Sequence, residues 1–194
     1  MSLQPGSPDD LRLDAGYGLI LRPVAPADAG ELFALVDVNR DDLRQWLPWV
    51  DATREVSDTL RFIESAVRQH AQGRGFVAVL LLGGAIAGVI GHHDLDREKR
   101  TASLGYWLAA AHRGKGRATA ACRAMVEDAF GRLDVERVTI ACAPGNRASR
   151  AIPERLGFVA LRTVKAAERL YDRTVDHVVY GIDRRTWTAC GKAP

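Results

Sequence analysis

The sequence predicts a mixed α/β fold of the α+β kind, a sheet with helices on both of its faces. Three observations lead there. Residues 75–91 carry no charge, but Gly83-Gly84 splits them into two strand-length runs rich in Val, Ile and Leu, 76–82 and 85–90. A Gly-Gly pair between such runs is a tight hairpin signal, so the segment reads as two antiparallel strands and not as a short membrane span. Residues 104–108 (LGYWL) form an apolar aromatic run that feeds a basic glycine loop and then a helical pattern. Beyond it, strand-length apolar runs alternate with helical ones, so the antiparallel beginning gives way to a βαβ-like second half.

The elements follow in chain order. Residues 18–22 (GLILR) read as a first strand. Pro26 stands where a helix favours its first-turn proline, and Leu32, Phe33 and Val36 give that helix an apolar face through about Val38. A short second element spans 41–46. It leads into Leu47-Pro48-Trp49-Val50, where Trp46 and Trp49 either line a pocket or plug the core. Val56, Leu60, Ile63 and Val67 recur at helical spacing, giving a helix that ends near Gln72-Gly73. The second hairpin strand continues into His92, His93 and Asp94. Neighbouring strand residues point to opposite faces, so these read as strand-end polar residues and not as joint metal ligands. The central strand spans 101–108. The helix after the loop carries Ala118, Cys122, Met125 and Ala129 on one face and stops at Gly131. A strand at 137–143, a Pro144-Gly145-Asn146 turn, a helix at 148–156 closing at Gly157, a strand at 158–164, a turn at 171–174 and a strand at 175–183 complete the pattern. One domain is expected, residues 13–187, between a disordered N-terminal segment, 1–12, and a fraying tail, 188–194.

Composition bounds the function. A chain of 194 residues with net charge +3 suits an anionic ligand but is too weakly basic to argue for nucleic acid, and no aromatic-plus-basic stripe appears. Cys122, Cys142 and Cys190 are odd in number and widely spaced, which fits neither a disulfide framework nor a metal site. A reducing cytoplasm is the default expectation. The polar start MSLQPGSPDD does not read as a signal peptide.

Chemistry concentrates in residues 104–119. A strand, the loop His112-Arg113-Gly114-Lys115-Gly116-Arg117 and a helix start aim several backbone N–H groups at one anion. Glycines admit phosphate to the backbone, and Arg and Lys add charge. The stretch reads as a pyrophosphate cradle, the alternative being a solvated basic turn. The G-x-x-x-x-G-K-[ST] spacing of a P-loop is missing.

Arg113-Gly114-Lys115-Gly116-Arg117-Ala118 follows the pattern R/Q-x-x-G-x-G/A, and Asn146-x-x-Ser149 is followed by Glu154-Arg155-Leu156-Gly157-Phe158. In these two signatures and their order the chain resembles the GNAT superfamily, the GCN5-related N-acetyltransferases, over about residues 17–187. Leu47-Pro48-Trp49-Val50, Gly105-Tyr106-Trp107-Leu108 and Ala167-Glu168-Arg169-Leu170-Tyr171 are similar to its RimJ/RimL branch, which acetylates N-termini of ribosomal proteins.

The resemblance implies a GNAT fold, a mostly antiparallel sheet splayed where acetyl-CoA lies. It implies that the main chain of Trp107, Leu108 and Ala110 pairs with the pantetheine and that the Leu108 N–H polarises the thioester carbonyl. The N–H groups of Arg113, Gly114, Lys115, Gly116, Arg117 and Ala118 would hold the pyrophosphate, with Thr119 nearby. Asn146 and Ser149 would meet the other end of the pantetheine. Many members use a tyrosine seven residues after the Asn as acid; that position is Pro153 here. The RimL-type pattern instead assigns the acid to Ser149 and the base to Glu168, and no metal. Local capping is the plain alternative for Asn146 and Ser149, and a solvated strand-end carboxylate for Glu168.

The acceptor follows from basicity. At neutral pH roughly a tenth of N-terminal α-amines are uncharged, against well under about one in a thousand lysines. A carboxylate base therefore suits an α-amine, and is expected to be withdrawn from water. The leading reading is an acetyl-CoA-dependent N-acetyltransferase acting on a protein N-terminus. Its alternatives are a small amine (aminoglycoside, polyamine or amino acid) as acceptor, or a non-catalytic acyl-CoA-binding or ribosome-binding module. The resemblance further implies a homodimer; the weak charge and the Gly83-Gly84 hairpin argue against a direct nucleic-acid or membrane partner.

Overall fold

Alternation along one strand shows how the layers form. In β3 (Val77–Leu82), Ala78 and Leu80 join one buried cluster and Val79 the other, because successive side chains leave opposite faces of a sheet. The computed structural model describes residues 11–190. Its strands are β1 (Leu13–Gly16), β2 (Leu19–Pro23), β3, β4 (Ala85–Asp96), β5 (Thr101–Leu108), β6 (Arg137–Cys142), β7 (Val159–Leu170) and β8 (Arg173–Asp183). Its helices are α1 (Ala29–Val38), α2 (Arg40–Arg44), α3 (Val56–Ala71), α4 (Arg117–Gly131), α5 (Arg147–Arg155) and α6 (Arg184–Cys190).

One eight-stranded sheet runs in the order β1-β2-β3-β4-β5-β6-β8-β7. Every neighbouring pair is antiparallel except β5 and β6. On one face α4 and α5 supply Met125, Val126, Ala129 and Ile152 to a cluster with Leu21, Leu80, Ile90 and Leu104. On the other, α1 and α3 supply Leu32, Ile63 and Ala66 against Val79 and Val89. This is the expected mixed sheet with helices on both faces.

The parallel pair positions the site. β5 and β6 share only Thr101↔Arg137, Ala102↔Val138 and Ser103↔Thr139, and the last rung is pinned by a 3.0 Å contact between the Ser103 and Thr139 hydroxyls. From Leu104 onward β5 keeps β4 but has lost β6. The sheet opens there into a gap.

Three elements differ from the sequence expectation. β1 was not anticipated; its four residues, LDAG, are too short and polar to carry a strand pattern, and pairing with β2 alone forms it. β7 continues to Leu170 and not merely to Val164. Residues 159–167 are exposed throughout, so no alternation marks the run before Leu170 is buried at its end, and pairing with β8 across a bulge at Ala166 (φ 49°) makes it a strand. α6 reaches Cys190, where a tail from Thr188 was expected, with the Trp187 ring 6.3 Å from Phe130. Residues 1–10 and 191–194 lie outside the described residues. No described helix is long and apolar enough to cross a membrane.

Candidate active site

The end of β5 is set by β4. Ala109 N–H donates to Ala87 O at 2.9 Å, which fixes the parity of the antiparallel ladder. Bonded pairs alternate, so Trp107 exchanges its bonds with Val89, while Tyr106 and Leu108 direct N–H and C=O toward the gap. Gly88 makes the close approach possible, because a Cβ there would lie 2.3 Å from Trp107 O and 2.9 Å from Leu108 Cα. The Leu108 carbonyl accepts from Arg113 Nε at 2.8 Å. Its N–H is left facing the gap. The Ala110 N–H, also expected at the pantetheine, donates to Asn39 Oδ1 at 3.0 Å, and Asn39 Nδ2 donates to Leu35 O of α1. Leu108 and Tyr106, not Trp107 and Ala110, thus offer the free main chain.

The loop below it is a set of unpaired donors. A short 3₁₀ turn uses the Arg113 N–H on Ala110 O. The N–H groups of Gly114, Lys115, Gly116, Arg117, Ala118 and Thr119 find no acceptor among the described residues, and Ala120 is the first to close on Gly116 O. Gly116 starts α4 in the left-handed region at φ 74°, a conformation that costs a side chain energy and glycine none. A Cβ on Gly114 would meet nothing within 4 Å, so the loop has an open side. Arg117 Nε is buried with no hydrogen-bond partner. Arg113 is committed elsewhere, its guanidinium 2.5 Å from Asp42. Free N–H groups, a helix N-terminus and an orphaned guanidinium nitrogen suit a pyrophosphate. Among the described residues no group of three or more His, Cys, Asp or Glu is gathered as for a metal ion.

Across the gap, Asn146 and Ser149 divide their work. Asn146 caps α5, accepting the Ser149 N–H on Oδ1 at 3.1 Å. The capping reading holds for Asn146, and it frees the Ser149 hydroxyl. Ser149 Oγ lies 3.2 Å from Tyr106 Oη and 3.2 Å from Cys142 Sγ, while Tyr106 Oη is 3.0 Å from Ser149 O. Burial pushes the Tyr106 hydroxyl far above its ordinary pKa, reinforced by Cys122 and Cys142. Burial likewise raises the Cys142 thiol, and its hydrogen-bonding contacts with Ser149 and Tyr106 act the other way. Both stay protonated at neutral pH.

Glu168 stands on the β7–β8 arm. Its carboxylate is 3.4 Å from His177 Nε2 and its side chain remains 30% exposed, more open than a base withdrawn from water. Glu168 pairs with Val175 across the arm. Val175 lines a cleft of about 380 Å³ together with Trp46, Pro144, Gly145 and Arg173. The arm is tied down by Tyr171, which donates to Leu47 O at 2.8 Å, and by Arg173, which donates to Gln45 O at 2.7 Å. Trp46 is therefore a cleft wall. Trp49 packs toward Trp107, ring centroids 6.4 Å apart. His92 and His93 face opposite ways: His92 is buried, Nε2 3.0 Å from Met125 O, and His93 is half exposed.

Sequence reasoning missed Tyr106, Cys142 and Asn39. Tyr106 carried a usable signal. It alternates with Leu104 and Leu108 on the face that enters the core, and a tyrosine there needs a polar partner. Cys142 and Asn39 carried none, since only folding brings them to the gap.

Comparison with known proteins places this geometry in context. Residues 18–159 match the family described as acetyltransferase (GNAT) domain. The chain is 39% identical over 173 residues to "putative ribosomal N-acetyltransferase YdaF" of Bacillus subtilis (strain 168), covering 87% of this chain and 93% of that one. It is 28% identical over 162 residues to the ribosomal-protein-serine acetyltransferase of Escherichia coli (strain K12), covering 84% and 90%. Among solved structures, microcin C7 self-immunity acetyltransferase MccE, in complex with acetyl-CoA and AMP, superposes with a TM-score of 0.82 at 27% identity, covering 87% and 94%.

Proposed function

The chain belongs to the GNAT acetyltransferase family, and from that premise we propose that it transfers acetyl from acetyl-CoA to the α-amine of a protein N-terminus, with a ribosomal protein as the leading acceptor. One observation carries the donor half. The Leu108 N–H faces a gap between parted strands, and six unpaired N–H groups stand at the loop beneath it. The gap takes the pantetheine and the loop takes the pyrophosphate. Lys115 and Arg117 add charge, and Thr119 stands beside them.

Each residue then has a task. Leu108 N–H stabilises the oxygen of the carbonyl under attack, a single fixed donor where negative charge develops. Glu168 takes a proton from the attacking amine as its nitrogen bonds to the carbonyl carbon. Ser149 gives its hydroxyl proton to the sulfur as the carbon–sulfur bond breaks and takes one back from water, while Glu168 releases the amine proton to solvent, so both residues return to their starting state. The cleft walled by Trp46, Gly145 and Arg173 receives the acceptor, since Val175 joins it to Glu168 across the arm. Names of the 39% and 28% identical relatives support a ribosomal-protein acceptor. We further infer a homodimer in the cytoplasm. Val159 and Leu161 stand exposed on the edge strand β7, which suits a second copy.

The likeness to MccE, solved with AMP beside acetyl-CoA, favours a second reading with a small amine as acceptor. An acetyl-CoA consumption assay separates the two. Peptides beginning with Ser, Ala or Met are run beside lysine peptides, polyamines, amino acids and aminoglycosides at pH 7. An N-terminal peptide is expected to be turned over fastest. A small amine that outpaces every peptide would replace the first reading with the second.

A further inference from the structure

Three elements converge where β5 and β6 part: Tyr106 from β5, Cys142 from the end of β6 and Ser149 from α5. Proton bookkeeping gives the cluster a direction. Tyr106 Oη is 3.0 Å from the Ser149 carbonyl oxygen, which only accepts, so the phenol donates there. The Tyr106 oxygen is then free to accept the Ser149 hydroxyl proton across 3.2 Å. With that proton committed, the Cys142 thiol donates to Ser149 Oγ.

We propose that Tyr106 is a positioning residue for Ser149: its hydroxyl holds Ser149 Oγ and its proton at the edge of the gap until a thiolate appears there. The proposal rests on the acyltransferase reading. A neutral phenol oxygen is a weaker acceptor than a thiolate, so the serine proton leaves Tyr106 when the sulfur becomes anionic. Tyr106 keeps its own proton throughout, as its buried site requires. It adds no chemical step and shortens the search of one hydroxyl rotor.

Tyr106→Phe removes the hydroxyl and keeps the ring that packs against the core. It is expected to lower kcat at least tenfold while leaving KM for acetyl-CoA within twofold. In a Ser149→Ala background the same change is expected to lower kcat no further, because the group it positions has gone. Unchanged kcat in Tyr106→Phe would overturn the proposal. An equal loss in both backgrounds would also overturn it, as that is the signature of a merely structural residue. Crystal structures of the wild type and of Tyr106→Phe give a reading that needs no acceptor. Ser149 Oγ is expected to leave its place beside Cys142 in the variant, and a Ser149 rotamer identical in both overturns the proposal. If the wild type transfers acetyl to no amine, the acyltransferase reading fails, and the crystal comparison still decides the role of Tyr106.

Discussion

Arg113 Nε donates to the Leu108 carbonyl at 2.8 Å while its Nη2 meets Asp42 at 2.5 Å. The first arginine of the basic loop is thus a brace and not a loose cation. It ties the loop to the strand end that offers the Leu108 N–H, and both to α2. Lysine cannot reproduce this fork. Arg113→Lys is expected to lower kcat/KM for acetyl-CoA about tenfold, equivalent to about 1.4 kcal/mol, with an unchanged circular dichroism spectrum. Steady-state kinetics at saturating acceptor measures it, and wild-type kinetics would remove the brace.

Gly116 starts α4 at a φ of 74°, where a Cβ would meet the Tyr17 ring at 3.8 Å. Aspartate is among the few residues that tolerate the left-handed region, so Gly116→Asp keeps the fold and puts an anion among the unpaired donors. Affinity for acetyl-CoA is expected to fall at least a hundredfold by isothermal titration. Tight binding in the variant would move the ligand off this loop.

Glu168→Gln keeps the shape of the arm and removes a proton acceptor. Turnover is expected to drop at least a hundredfold and acetyl-CoA affinity less than threefold, the pattern of a lost transition-state interaction. His177→Ala, which removes the neighbour 3.4 Å away, is expected to lower turnover less than Glu168→Gln does and to leave binding alone. Full turnover in Glu168→Gln would transfer the base to another group.

Stability should respond to His92. Burial pushes its pKa down, against the Met125 carbonyl and Asp128, which favour the charged form; Arg132 and His93 add to the lowering. The unfolded chain takes up a proton near pH 6.5 and the folded one resists it. The unfolded state therefore binds more protons below that value, and stability is lost as pH falls through it. Between pH 7.5 and 5.5 the loss attributable to His92 is expected to reach up to about 1.4 kcal/mol. Urea denaturation of wild type and His92→Gln at both pH values checks this. A variant with the same slope would place the pH dependence elsewhere.

Local signals were legible wherever one stretch of chain suffices. The hairpin at Gly83-Gly84 reflects turn chemistry between two apolar runs, and it stands as two antiparallel strands. The strand 101–108 was read to the residue, because its apolar alternation and the loop after it are both local. The Asn146 cap spans three residues, so it too is visible in order. The β7 arm was not visible past Val164, since the strand is exposed on both faces through residue 167 and has no alternation to read there.

By itself the sequence determined that residues 104–119 run from a buried strand through a glycine loop into a helix start, and that Ser149 follows a helix cap. Those facts depend on neighbours within a few residues. Only the tertiary structure decided which N–H groups face the gap, because that depends on the parity of β5 against β4 and on the loss of β6 after Ser103. It decided that Arg113 braces the loop and that the Ser149 hydroxyl faces Tyr106 and Cys142. Those partners are 43 and 7 positions away in the chain. Hydrogen bonds form where atoms meet, and the meeting of β5, β6 and α5 is a property of the folded sheet that no single stretch of this sequence contains.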